Sequence, residues 1–105
     1  MNNNRQYFVL TQQLNGSVHK EYPAKAFPFS YQGIDMFCYQ KVSHWLVINK
    51  NIGIPMALPQ YSRQAAMQSI RDYINLLGVN KVNEVIKEAE EAIKYLTIYE
   101  ESEEN

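Results

Sequence analysis

Residues 6 to 13 and 17 to 22 are rich in β-formers, and between them Asn15-Gly16 is the dipeptide that most readily takes the two positive φ angles of a type I′ turn. The pattern predicts a β-hairpin. A two-residue loop pairs Val9 with Tyr22 and Gln13 with Val18 on one face, and Leu10 with Glu21 and Gln12 with His19 on the other. Neither face is purely apolar, which leaves the register open to a bulge. Tyr22-Pro23 ends the second strand, because proline has no ladder donor and restricts its predecessor. Pro23 to Gly33 then reads as an irregular connection, with Phe27, Phe29 and Tyr31 as aromatic anchors.

A third strand is expected at about 34 to 40, where Ile34, Met36 and Cys38 alternate with Asp35, Phe37 and Tyr39. Trp45 to Ile48 is apolar on both sides and reads as a fourth strand at the centre of the sheet. After a turn at Asn51 to Gly53, Ile54 to Leu58 reads as a short fifth strand, placed at an edge by Pro55.

Beyond Pro59 the period changes from two to 3.6. Ser62 is positioned as an N-cap, and Ala66, Met67, Ile70, Tyr73, Ile74 and Leu77 form one stripe of a helix over about 63–77. Gly78 supplies a left-handed stop, with Val79 reaching back to Ile74. Asn80 or Asn83 caps a second helix over about 81–98, whose stripe is Val82, Val85, Ile86, Ala89, Ala92, Ile93 and Leu96. The short link folds the two helices back on each other. Glu90 and Lys94 are spaced for an ion pair. The expected fold is therefore α+β: an antiparallel sheet of four or five strands (about residues 6–58), covered on one face by a C-terminal two-helix hairpin (63–77 and 81–98).

The 105 residues suit a single domain over 1–105, with 1–5 and 100–105 expected as flexible tails. The formal charge of −1 provides no global field for nucleic acid or an anionic membrane. Its distribution says more. Residues 1–50 carry five basic groups against Glu21 and Asp35, a balance of +3, whereas residues 51–105 carry five against nine acidic groups, a balance of −4. The polar Met1-Asn2-Asn3-Asn4-Arg5 start resembles no secretory signal, and Trp45 to Ile48 is too short to span a bilayer, so a cytoplasmic protein without membrane contact is expected. A lone cysteine, Cys38, excludes an intramolecular disulfide.

Chemistry-bearing residues are sparse. A three-residue loop between the third and fourth strands would set Cys38 and His44 diagonally on one face, with Asp35 on the other, so the natural reading of Cys38 is packing. His19 and His44 lack the spacing of a metal site, and the four glycines are too dispersed to cradle phosphate. No catalytic residue, metal or cofactor is expected. Nine of the thirteen aromatics fall in the mildly basic first half, a composition that suits stacking on unpaired bases. On the second helix Glu84, Glu88 and Glu91 share a flank that would imitate phosphates in a basic cleft, opposed by Lys81, Lys87 and Lys94. Leu76, Tyr95 and Ile98 fall off the helical stripes and are available to a partner or to a second copy in a homodimer.

The run from Trp45 through Gly53 to Ser62-Arg63-Gln64-Ala65-Ala66, a strand pair feeding an alanine-bearing helix, resembles small bacterial antitoxin and phage accessory domains over about a fifth of the chain. That resemblance carries no residue roles. The absence of a catalytic constellation, together with the available surface features, gives the expectation of a non-enzymatic interaction module, a regulatory or inhibitory accessory protein of phage or bacterial type whose first expected partner is another protein. The alternatives are single-stranded nucleic-acid binding and an acidic nucleic-acid mimic. The candidate contacts are Phe27, Phe29, Tyr31, Glu84, Glu88, Glu91 and Tyr95.

Overall fold

The computed structural model describes residues 6–100 and has the expected α+β architecture. Strands β1 (Val9–Gln12), β2 (Val18–Glu21), β3 (Phe27–Tyr31), β4 (Ile34–Lys41) and β5 (His44–Asn49) precede helices α1 (Arg63–Leu77) and α2 (Val79–Ile93), and a last strand, β6 (Ile98–Glu100), follows them. The strands form two three-stranded sheets, β1-β2-β6 and β3-β4-β5. A single sheet was the expectation. The split arises because β1 and β2 form no ladder with β3, β4 or β5 among the described residues; β6 joins their sheet instead, parallel to β2, with Ile98 beside Val18 and Glu100 beside Lys20. The second helix accordingly ends at Ile93 rather than near 98. Glu100, expected in a tail, is paired in a strand. The rest of the expected tails, 1–5 and 101–105, lies outside the described residues.

The turns differ from expectation in an instructive way. Asn15-Gly16 does not form a type I′ turn: Gln13 O accepts from Gly16 N at 2.9 Å and Gln13 N donates to Ser17 O at 2.8 Å, which closes a three-residue connection with Gly16 alone at positive φ. Val9 consequently faces Glu21, one residue from the two-residue register. The pair of positive φ angles falls instead at Gln32 (54°) and Gly33 (79°), where β3 turns into β4. The stretch expected to be irregular is therefore half strand, with Pro28 on the sheet's edge.

β4, not β5, is the central strand of its sheet. Met36 to Tyr39 are all buried because both faces of β4 are covered. On one side Ile34, Met36 and Cys38, together with Val47 of β5, meet Ala66, Ile70 and Ile74, the i, i+4, i+8 stripe of α1, and Val82 of α2. Burial of Ile70 and Ile74 contributes about 1.5–3 kcal/mol each. On the other side Phe37, Tyr39 and Ile48 pack against Val9 of β1, with Tyr7 edge-on to Phe37. The apolar run of β5 is satisfied at an edge because residues 54–60 lie along it, pairing irregularly: Met56 N donates to Val47 O, and Gln60 and Trp45 exchange both backbone bonds. Those bridges stand where a fifth regular strand was expected.

Ser62 caps α1 by accepting from Ala65 N at 3.1 Å. Gly78 ends it, donating to Ile74 O, but with ψ at 142° it is not left-handed helical, and α2 starts directly after it without a side-chain cap from Asn80 or Asn83. α1 carries the helical contact with β4 and β5, whereas α2 packs on α1 and buries fully only Val82. Val85 and Leu96, expected on the covered stripe, remain substantially exposed. No helix among the described residues is long and apolar enough to cross a membrane.

Candidate functional site

The residues singled out by sequence do not converge. Phe27, Phe29 and Tyr31 share the face of β3 that packs on the α1 cluster, so all three rings are half-buried rather than displayed on a loop. The Tyr31 hydroxyl donates to Asn75 Oδ1 at 2.8 Å, and the Arg63 guanidinium lies over the Phe27 ring at 4.3 Å. Glu84, Glu88 and Glu91 do share a flank of α2, around a shallow hollow that Lys87 also lines. Lys81 stands 3.8 Å from Glu84, and Lys94 is 3.2 Å from Glu91 in place of the expected Glu90. The acidic flank is thus locally balanced by its own lysines. Tyr95 projects into solvent beyond the end of α2, as does Leu76 from α1, whereas Ile98 is tied into β6.

The Cys38–His44 pairing also dissolves. Lys41 pairs with His44, so the connection is Val42-Ser43, two residues rather than three. That register sets Cys38 on the face of Trp45 and Val47, toward α1, and His44 on the opposite face with Leu46 and Ile48. His44 stacks on Tyr61 at 4.8 Å between ring centres. Burial pushes the Cys38 thiol up to about 11, opposed only in part by the positive fields of Arg63 and Arg71. Among the described residues no group of three or more His, Cys, Asp or Glu side chains is placed to hold a metal ion.

What the fold builds instead is a cleft of about 610 Å³ at the end of the central sheet, where the exit of β2, the start of β3 and the β4–β5 hairpin meet. Its rings are Tyr22, Phe27, Tyr39 and Trp45. Its cations are Lys25 and Lys41. Such a concave surface, mostly apolar with a few polar groups at the rim, is the usual form of a binding site. Trp45 is held by its backbone exchange with Gln60 and by Phe27, whose ring centre lies 5.7 Å away. The Tyr22 hydroxyl donates to Glu100 of β6, which tethers that ring. Tyr39 is nearly buried, and its phenol is raised above the usual value by burial and then by the neighbouring Glu21 charge. Lys41 stands 4.0 Å from Glu21, a loose surface pair.

Val42 forms the outer lip of the cleft, 92% exposed and at a φ of 58°. A β-branched residue there is a backbone outlier. Of the candidate contacts named from sequence only Phe27 lines this cleft, although Tyr22, Tyr39 and Trp45 belong with it to the nine aromatics of the mildly basic first half. Tyr22, Lys25, Tyr39, Lys41 and Trp45 are brought together from separate segments; besides their composition, the local signal is Tyr22-Pro23, at the exit of β2. No known protein family, curated protein or solved structure matches the chain.

Proposed function

We propose that this chain is a small non-enzymatic macromolecular interaction module, a regulatory or inhibitory accessory protein of the phage or bacterial type, that receives part of its partner in the cleft between Tyr22 and Trp45. The observation that carries this reading is the cleft itself: four aromatic side chains and two lysines from the β2–β3 connection, β3, β4 and β5 gathered around one concavity of about 610 Å³. The separation of Cys38 from His44 removes the one nucleophile and base that sequence spacing suggested, which favours binding over covalent work. The run from Trp45 through Gly53 to Ala66, with its resemblance to small antitoxin and phage accessory domains, supports the regulatory role.

Site-specific photocrosslinking tests the reading. With a benzophenone amino acid at Gln40, an exposed residue of the cleft wall, irradiation of cells of the source organism should yield discrete adducts. The same group at Leu14, on the exposed β1–β2 turn, should not. Equal crosslinking from both positions, or none from Gln40, overturns the cleft as the working surface.

A further inference from the structure

On the reading of the cleft as the binding surface, we propose that its occupant is single-stranded nucleic acid, with bases laid against Trp45 and Tyr22 and phosphates held by Lys25 and Lys41. Charge is the first argument. Lys25 is exposed and makes no hydrogen bond or ion pair among the described residues, and Lys41 is only loosely held by Glu21. Arg63 adds a third cation behind the wall, stacked on Phe27 and 5.9 Å from the Trp45 ring. Among the described residues Glu21 is the one acidic residue of the lining and Glu100 bonds the Tyr22 hydroxyl beside it; against these two carboxylates stand Lys25, Lys41 and Arg63, a balance of +1 in a chain whose formal charge is −1. The mixed-charge hollow of Glu84, Lys87, Glu88 and Glu91 is a separate feature on α2.

The rings supply the second argument. An acidic peptide answers the lysines and leaves the aromatic faces in water; a proline-rich peptide covers the rings and leaves Lys25 unanswered. A nucleotide does both at once, because its base presents a π-face and its phosphate a charge. Unpaired bases are required, since a duplex keeps its π-faces stacked internally. The cations are few, so binding should be weak and only moderately sensitive to salt. Two or three neutralised phosphates give a slope of log K against log salt of roughly −1.4 to −2.1.

The single tryptophan of the chain, Trp45, is the reporter. Titration of the full chain with a short oligothymidylate at low salt should change Trp45 emission saturably, with that slope. Lys25→Ala should weaken binding several-fold and bring the slope about 0.7 closer to zero, because one phosphate contact is lost. Lys25→Glu should weaken it further, and Tyr22→Ala should do so at all salt concentrations. A duplex of the same length should bind less tightly. Polyglutamate binding as tightly as oligothymidylate overturns the proposal, as does oligothymidylate binding indifferent to Lys25→Glu or the absence of any emission change. The crosslink at Gln40 separates the two claims: protein-only, nuclease-resistant adducts there retain the cleft and reject its nucleic-acid occupant.

Discussion

Cys38 and His44 project from opposite faces of the β4–β5 ladder, separated by the sheet itself. The thiol is therefore neighboured by Val47 and α1, fully out of contact with water, and burial holds its pKa at about 11 against the ordinary 9.0. At neutral pH the thiolate fraction falls about 100-fold below that of a free thiol, since each unit is a factor of ten. Iodoacetamide should label Cys38 in the native protein far more slowly than in denaturant, at a rate set by opening of the fold. Fast native labelling would place the side chain elsewhere.

The same shift makes stability fall in alkali. In the unfolded chain Cys38 loses its proton near 9, whereas the folded chain retains it up to about 11, so the folded state binds more protons across that window. The contribution is complete below pH 9 and is lost as pH rises toward 11, amounting to roughly 2–3 kcal/mol. Denaturant melts across this range should show the decline, and Cys38→Ala should flatten it despite its lower starting stability. The Tyr39 phenol, also raised by burial and Glu21, adds a loss of the same sign above 10.

Gly53 is the point at which the residues ahead of β1 touch the loop after β5. Its carbonyl accepts from Leu10 N at 2.9 Å, and a Cβ built on it would lie 2.5 Å from Phe8 Cε2 and 3.1 Å from the Phe8 carbonyl oxygen, at a φ of 72°. Gly53→Ala should therefore cost about 2–4 kcal/mol, the sum of left-handed strain and displacement of Phe8. A fall in Tm of ~10 °C or more is expected in a thermal melt. Gly16→Ala, with open space around the same bond, should cost markedly less.

Several of these relationships were legible in the residues and others were not. Ser62, Gly78 and the stripe of Ala66, Ile70 and Ile74 mark α1 at both ends, because capping and periodicity are local properties. Ile34 to Lys41 likewise betrays β4 by alternation, although only packing from both sides identifies it as central. Gln32 and Val42 take positive φ without any residue preference for it, so their two tight turns, and the opposite facing of Cys38 and His44, depend on strand pairing. β6 is harder still. Leu96 extends the helical stripe past the true end of α2, and the pairing of Ile98 to Glu100 with β2 is a contact between distant parts of the chain. The cleft inherits that difficulty, since it is assembled from segments that share no motif.

Asn49 shows how a buried polar residue can be structural. It is 2% exposed, and its Oδ1 accepts from the backbone N–H groups of Asn51 and Ile52 at 2.9 and 3.2 Å, shaping the turn that delivers Ile52 and Gly53 to the core. Asn49→Ala strands the buried Ile52 donor and should cost on the order of 2 kcal/mol in chemical denaturation. Asn51→Ala, two residues on and exposed, should stay within about 0.5 kcal/mol. Equal effects at the two positions would remove Asn49 as the organiser of the loop.

Val42 offers the sharpest separation of stability from binding. Positive φ at the first residue of a two-residue hairpin, with an ordinary φ at Ser43, is the pattern of a type II′ turn, a position that suits glycine. The valine side chain is 92% exposed, so it returns little packing for the strain it imposes. Relief of about 1–2 kcal/mol of left-handed strain, less about 0.5–1 kcal/mol for glycine's freedom in the unfolded chain, predicts that Val42→Gly stabilises by roughly 0.5–1 kcal/mol. A thermal melt should rise by about 3–6 °C. An unchanged or lower midpoint would mean that the turn carries no strain. If the midpoint rises while oligothymidylate binding at the cleft weakens, the valine at its lip is held in place for the partner, and the fold tolerates its strain for that reason.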